Sequence, residues 1–127
     1  MIAVDTSALM AILLKEPEAA AAMTALEADP EVVISAGTLA EALIVAMRQN
    51  IDEQMVKLVD RLDFEVAPVT RADALRAAQA YARWGKGLHR AALNYGDCFA
   101  YAVAKERACP LLYVGRDFAD TDIASVL

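Results

Sequence analysis

The sequence is short of the residues on which much metal and redox chemistry relies. Two cysteines, Cys98 and Cys109, and one histidine, His89, occur in 127 residues. The cysteines match no zinc-ligand spacing and read as reduced, packed thiols. A lone histidine supports neither a histidine-rich metal site nor a nucleophile–histidine triad. Long apolar runs are missing too: Ala8–Leu14 is too short to span a bilayer, and Glu41 interrupts the next candidate. Met1–Val4 has no basic flank and meets Asp5 at once, unlike a secretion signal. There is no repeat, low-complexity tract or linker. The length suits one domain, so the expectation is a single domain over residues 1–127, cytoplasmic and without membrane contact.

Positive charge is also scarce. The net charge is −6 and the isoelectric point about 4.7, which on average argues against a nucleic-acid partner. The average hides an uneven distribution. Of twelve Lys and Arg residues, eight lie between Arg71 and Arg116, enough for a basic flank beside an acidic pocket. Arg71, Arg76 and Arg83 fit a solvated helix face equally well. What the chain has in excess is apolar residues, 58% by count with a mean hydropathy of +0.35. Much of this is alanine, a strong helix former of little bulk. The surplus favours a partner or a homodimer, because large exposed apolar patches are uncommon on monomers.

Short apolar runs alternate with helical patterns. Ile2–Val4 reads as a buried strand and Ser7–Leu14 as a helix that stops before Pro17. Helices are expected over Glu18–Glu27, Thr38–Gln49 and Asp52–Leu62, with strands at Val32–Ile34 and Phe64–Val66. Thr70, with Asp73 three residues on, caps a helix reaching Trp84. Gly85–Asn94 reads as a loop and Tyr95–Arg107 as a buried helix. A strand follows at Leu111–Val114, then a helical turn at Asp117–Asp120 and a short edge strand at Ile123–Val126. Such alternation implies a parallel sheet covered by helices on both faces.

Four acids, Asp5, Glu41, Asp97 and Asp117, sit where strands end or helices begin. In an open parallel sheet those positions converge on one rim, outside the carboxyl ends of the strands. Each has a structural role available. Asp5 can cap the first helix, Glu41 stands at capping-box distance from Thr38, Asp97 stands so from Asn94, and Asp117 can cap the last turn. Together they point elsewhere. Clustered carboxylates repel unless a hard cation neutralises them, and an all-oxygen donor set suits Mg²⁺ or Mn²⁺ over zinc. Asp5 and Asp97 are the leading direct ligands, with Glu41 and Asp117 ligating directly or through water. Ser7 is placed to orient a ligand carboxylate. Such a site fits phosphodiester hydrolysis, and Lys86, Arg90 and Arg116 are candidate phosphate contacts.

Four segments carry a family resemblance. Met1-Ile-Ala-Val-Asp-Thr-Ser-Ala-Leu9, Thr38-Leu-Ala-Glu41, Asn94-Tyr-Gly-Asp-Cys-Phe-Ala-Tyr-Ala102 and Leu112-Tyr-Val-Gly-Arg-Asp-Phe118 with Thr121-Asp-Ile123 resemble, in order, the motifs of PIN-domain ribonucleases. The form most resembled is the VapC toxin of bacterial toxin–antitoxin pairs. The resemblance implies an α/β/α sandwich with sheet order 3-2-1-4-5. It also implies Mg²⁺- or Mn²⁺-dependent endonucleolytic cleavage of RNA, often at a structured tRNA or rRNA site. By motif, Asp5, Glu41, Asp97 and Asp117 form the acidic quartet and Ser7 the hydroxyl beside it. Thr121 and Asp122 support the terminal loop from behind the metal ligands. The implied partners are an RNA substrate, a VapB-type antitoxin and a second copy of the chain.

Two rivals stay near this reading: a PIN nuclease of RNA processing or decay without an antitoxin, and a Mg²⁺-binding receiver-like signalling domain. A receiver needs paired acids after the first strand and a lysine near the end of the last. Here Thr6 and Ser7 follow Asp5, and no lysine follows Lys105. A haloacid-dehalogenase-type phosphatase would want Asp where Ser7 stands. A purely structural partner-binding domain would leave buried acids as an unexplained cost.

Overall fold

The computed structural model describes residues 1–127. In chain order it contains β1 (Ile2–Val4), α1 (Thr6–Leu13), α2 (Ala19–Ala28), β2 (Val32–Ser35), α3 (Ala36–Arg48), α4 (Asp52–Leu62), β3 (Glu65–Ala67), α5 (Arg71–Trp84), α6 (Tyr95–Glu106) and β4 (Leu111–Leu112). The strands are all parallel and run in the order β3-β2-β1-β4. Ala3 at the centre pairs with Val33 on one side and Leu111 on the other.

Side-chain alternation along these strands builds two cores. Ile2, Val4, Val32, Ile34 and Leu112 pack against Leu9, Leu26, Ala42, Met55 and Leu58 from the first four helices. Ala3, Val33 and Leu111 point the other way, onto Ala77, Trp84, Tyr101, Val103 and Phe118. Helices on both faces of a parallel sheet make the expected three-layer α/β/α sandwich. No helix is long and apolar enough to cross a membrane.

The expected fifth strand is the main departure. Ile123–Val126 makes a single parallel bridge, between Ser125 and Leu111, instead of a ladder. Leu111 N–H donates to the Ala124 carbonyl at 2.9 Å, and Val126 N–H donates to the Leu111 carbonyl at 3.1 Å. The physical reason lies next door. β4 is only two residues long, because the chain leaves the sheet before a turn in which Gly115 takes φ +96°, a value costly for other residues. A two-residue strand has no further groups to offer an edge partner.

Boundaries moved little elsewhere. The third helix begins at Ala36 with Ser35 as its cap, two residues before expected, so Thr38 and Glu41 lie within it. The capping boxes Thr70–Asp73 and Asn94–Asp97 are present, whereas Thr38–Glu41, at the same spacing, forms none.

Candidate active site at the carboxyl rim

Because every strand points the same way, the ends of β1, β2 and β4 share one rim, and α6 starts beside it. Asp5 stands immediately after β1. It is 3% exposed, and its N–H is fixed by the Leu112 carbonyl at 3.0 Å. Oδ2 accepts two hydrogen bonds from Ser7, from N–H at 3.0 Å and from Oγ at 2.7 Å. The Ser7 hydroxyl in turn accepts Val114 N–H at 3.0 Å, tying the end of β1 to the segment after β4. Asp5 therefore caps α1 with one oxygen only. Oδ1 is fully buried and has no hydrogen-bond partner.

Asp97 is the third residue of α6 and 5% exposed. Its Oδ2 accepts Asn94 N–H at 3.0 Å, while its own N–H donates to Asn94 Oδ1 at 2.8 Å. Glu41 reaches the rim from the second turn of α3. The Thr6 hydroxyl donates to its Oε1 at 2.7 Å. The carboxylate lies so close to Gly96 that a Cβ there would displace it, so glycine is required for this approach. Asp117 is exposed, on the turn after β4.

Like charge and burial act together here. Loss of hydration pushes the Asp5 carboxyl up to about 6, against the Ser7 hydrogen bonds and with help from Glu41 and Asp117. Burial pushes Asp97 up to about 7, and Asp5, Asp117 and Glu41 add repulsion. Asp5 and Asp97 thus both feel the charges of Glu41 and Asp117. Yet no three of them close on a common point as a finished metal cage. The arrangement suits an ion that keeps several waters and takes one or two carboxylates directly, as Mg²⁺ does. The unpartnered Asp5 oxygen and the all-oxygen donor set fit such a cation.

The remaining predicted residues divide. Ser7 orients Asp5, as expected. Thr121 donates its hydroxyl to the Phe118 carbonyl at 2.7 Å and accepts Ile123 N–H at 3.3 Å, locking the turn after Asp117. Asp122 faces away from the carboxylates. It accepts Tyr101 Oη at 2.5 Å and Lys105 Nζ at 3.2 Å, with Arg83 at 3.6 Å, and these partners hold its carboxyl below the usual range. It fastens the terminal segment onto α6. Arg90 stands 3.9 Å from Asp120, and Lys86 lines a cleft beside α6. Arg116 is exposed next to Asp117. His89 is structural: its Nδ1 accepts Ala91 N–H at 3.0 Å and its ring packs edge-on against Trp84. Cys98 and Cys109 are free and buried.

Sequence reasoning missed Thr6, Gly96 and Tyr101. Thr6 had a signal: in Asp5-Thr6-Ser7 the two hydroxyls follow one acid, and only one can turn back to it. Nothing in the sequence shows that Gly96 faces Glu41, since that contact joins two helices.

Sequence and fold match a known class. Residues 2–124 match the PIN domain family. Ribonuclease VapC30 of Mycobacterium tuberculosis (strain ATCC 25618 / H37Rv) is 42% identical over 130 residues, covering 97% of this chain and 96% of that protein. The chain belongs to the VapC ribonucleases of the PIN-domain family. Two solved structures share its fold. VapC20 of Mycobacterium tuberculosis, a Sarcin-Ricin loop cleaving toxin, superposes with a TM-score of 0.76 at 21% identity, covering 98% of this chain and 97% of that one. A toxin–antitoxin complex from Klebsiella pneumoniae gives a TM-score of 0.73 at 21% identity, covering 100% and 97%.

Proposed function

We propose that this chain is a Mg²⁺- or Mn²⁺-dependent endoribonuclease, the toxin of a toxin–antitoxin pair, which cuts phosphodiester bonds in structured RNA and so inhibits translation. The observation that carries the reading is the rim of Asp5, Glu41, Asp97 and Asp117, in which Asp5 and Asp97 are buried and one Asp5 oxygen is left unpartnered, on a chain 42% identical to a VapC ribonuclease.

When bound, the divalent ion would lower the pKa of the attacking water and offset charge building on the phosphate oxygens. Asp5 and Asp97 would hold it, Asp5 fixed in angle by Ser7 and Asp97 by its capping box. Glu41, partly exposed and oriented by Thr6, would accept the water's proton. Asp117 adds its charge to the acidic rim. Lys86, Arg90 and Arg116 supply positive charge for the flanking phosphates. The apolar side chains Ile44, Met47 and Leu75 are exposed, which supports a second copy and a VapB-type antitoxin as partners. An antitoxin arginine reaching the rim would replace the cation's charge and silence the site. The enzyme would then act in the cytoplasm, where its RNA lies.

The test is cleavage of total cellular RNA by wild-type and Asp97→Asn protein, with Mg²⁺ or with EDTA. Discrete cuts by the wild type with Mg²⁺ alone are expected. Equal cleavage by both proteins, or cleavage undiminished in EDTA, would remove the assigned role.

A further inference from the structure

The face beside the acidic rim carries an aromatic ring that neither core uses. Tyr95 is 78% exposed, more than any other large apolar side chain. It is the first residue of α6, two positions before Asp97. Its ring meets Phe99 edge-on, with centroids 5.0 Å and planes 86° apart, so the phenol is braced while most of its surface stays in solvent.

Two depressions meet at this pair. One, of about 330 Å³, runs over Gly96 and Ile44 and includes Glu41 of the acidic rim. The other, of about 640 Å³, is a mostly apolar cleft walled by Val69, Ala77 and Tyr81, with Lys86 among its lining. Tyr95 and Phe99 line both. A polynucleotide leaving the Glu41 side would have to cross Tyr95 to enter the cleft. Neither Lys86 nor Arg116 is neutralised by an ion pair, so both keep their charge for phosphates.

An exposed aromatic ring between an acidic rim and a cation-bearing apolar cleft has the chemistry of a single-strand binding surface. Bases stack on aromatic side chains while Lys and Arg track the backbone. We infer that Tyr95 is a stacking platform for an unpaired nucleobase flanking the scissile phosphodiester, with that nucleotide's phosphate directed to Lys86. The inference rests on the ribonuclease reading and deepens it. It requires the RNA to be single-stranded, or splayed open, beside the cut. A stacked pair of paired bases would bury the face that Tyr95 needs.

The test is fluorescence anisotropy in the Asp97→Asn background with Mg²⁺, so that RNA is bound without being cut. The probes are a fluorescein-labelled oligoadenylate and an abasic ribose-phosphate oligomer of the same length. Tyr95→Ala is expected to weaken oligoadenylate binding roughly 5- to 100-fold, and Tyr95→Phe to weaken it less than about 2-fold because the ring face is kept. All three proteins should bind the abasic oligomer alike. Unchanged oligoadenylate affinity in Tyr95→Ala, or an equal loss on both probes, would overturn the subsite while leaving the ribonuclease reading in place. Binding of neither probe by the parent protein would overturn both. Sedimentation of Tyr95→Ala supplies the last arm. Conversion of a dimer to monomers with no change in oligoadenylate affinity would assign this face to a second copy and refute the proposal.

Discussion

Single side chains show how the rim trades stability for chemistry. Asp5 and Asp97 hold their protons to higher pH in the folded chain, up to about 6 and about 7, than ordinary carboxyls do. The unfolded chain loses those protons first as pH rises. Between the ordinary carboxyl range and pH 7 the folded state therefore binds more protons, and stability falls as pH rises through that window. Without divalent cation, the melting temperature should be higher near about pH 5.5 than near about pH 8. Asp97→Asn keeps the acceptor for Asn94 N–H but removes the charge. It should melt higher than wild type near about pH 8, flatten the pH dependence and abolish cleavage. An unaltered pH slope in the variant would show that Asp97 carries no such burden. Thr6 makes a second case at this scale. Its hydroxyl is the hydrogen-bond donor that holds Glu41. Thr6→Val keeps the shape and is expected to lower the cleavage rate about 10- to 100-fold, with circular dichroism and melting near those of wild type. Wild-type cleavage would show that Glu41 needs no orientation.

Among the elements, the terminal segment depends most on contacts that its own sequence does not announce. Asp117 lies on a turn between the fully buried ring of Phe118 and the short strand β4. The Asp122 carboxylate then latches the segment to Tyr101 on α6, whose hydroxyl also accepts Trp84 Nε1–H at 3.0 Å. Tyr101→Phe cuts both bonds and leaves a buried indole N–H unpaired. It should cost about 1–3 kcal/mol in denaturant unfolding, shift the emission of Trp84, the sole tryptophan, and slow cleavage as Asp117 loosens. Normal stability with an unshifted spectrum would mean that the latch holds nothing. The motif pointed to Asp122 as steadying this loop, but its partners were hidden. They lie on helices far back in the chain, and no periodicity reports a cross-helix hydrogen bond. Capping boxes are the opposite case. Thr70–Asp73 and Asn94–Asp97 close within three residues, so local spacing revealed them. The start of α3 was placed late for a related reason. Thr38 and Glu41 mimic a capping box, while Ser35, at the end of β2, is the cap that the structure uses.

Across the whole molecule, the layering was legible because strands alternating with helices leave few choices, while the strand order came with the family resemblance. The expectation that four distant acids share one rim followed from the direction of the parallel strands. What the pattern did not carry was the truncated sheet edge, set by the chain's departure after only two residues of β4, and the direction each side chain takes once at the rim. Asp5 gives one oxygen to Ser7 and keeps the other without a hydrogen-bond partner, and Glu41 lies against the bare backbone of Gly96. Both facts belong to the assembled rim and to no single element. The claim on which function rests is that these carboxylates act as one ion-binding unit. Electron paramagnetic resonance titration with Mn²⁺ measures this most directly, on wild type, Asp5→Asn and Asp97→Asn. Saturable binding by wild type, abolished or weakened at least about tenfold by either substitution alone, is the predicted result. Wild-type Mn²⁺ affinity in both variants would contradict it.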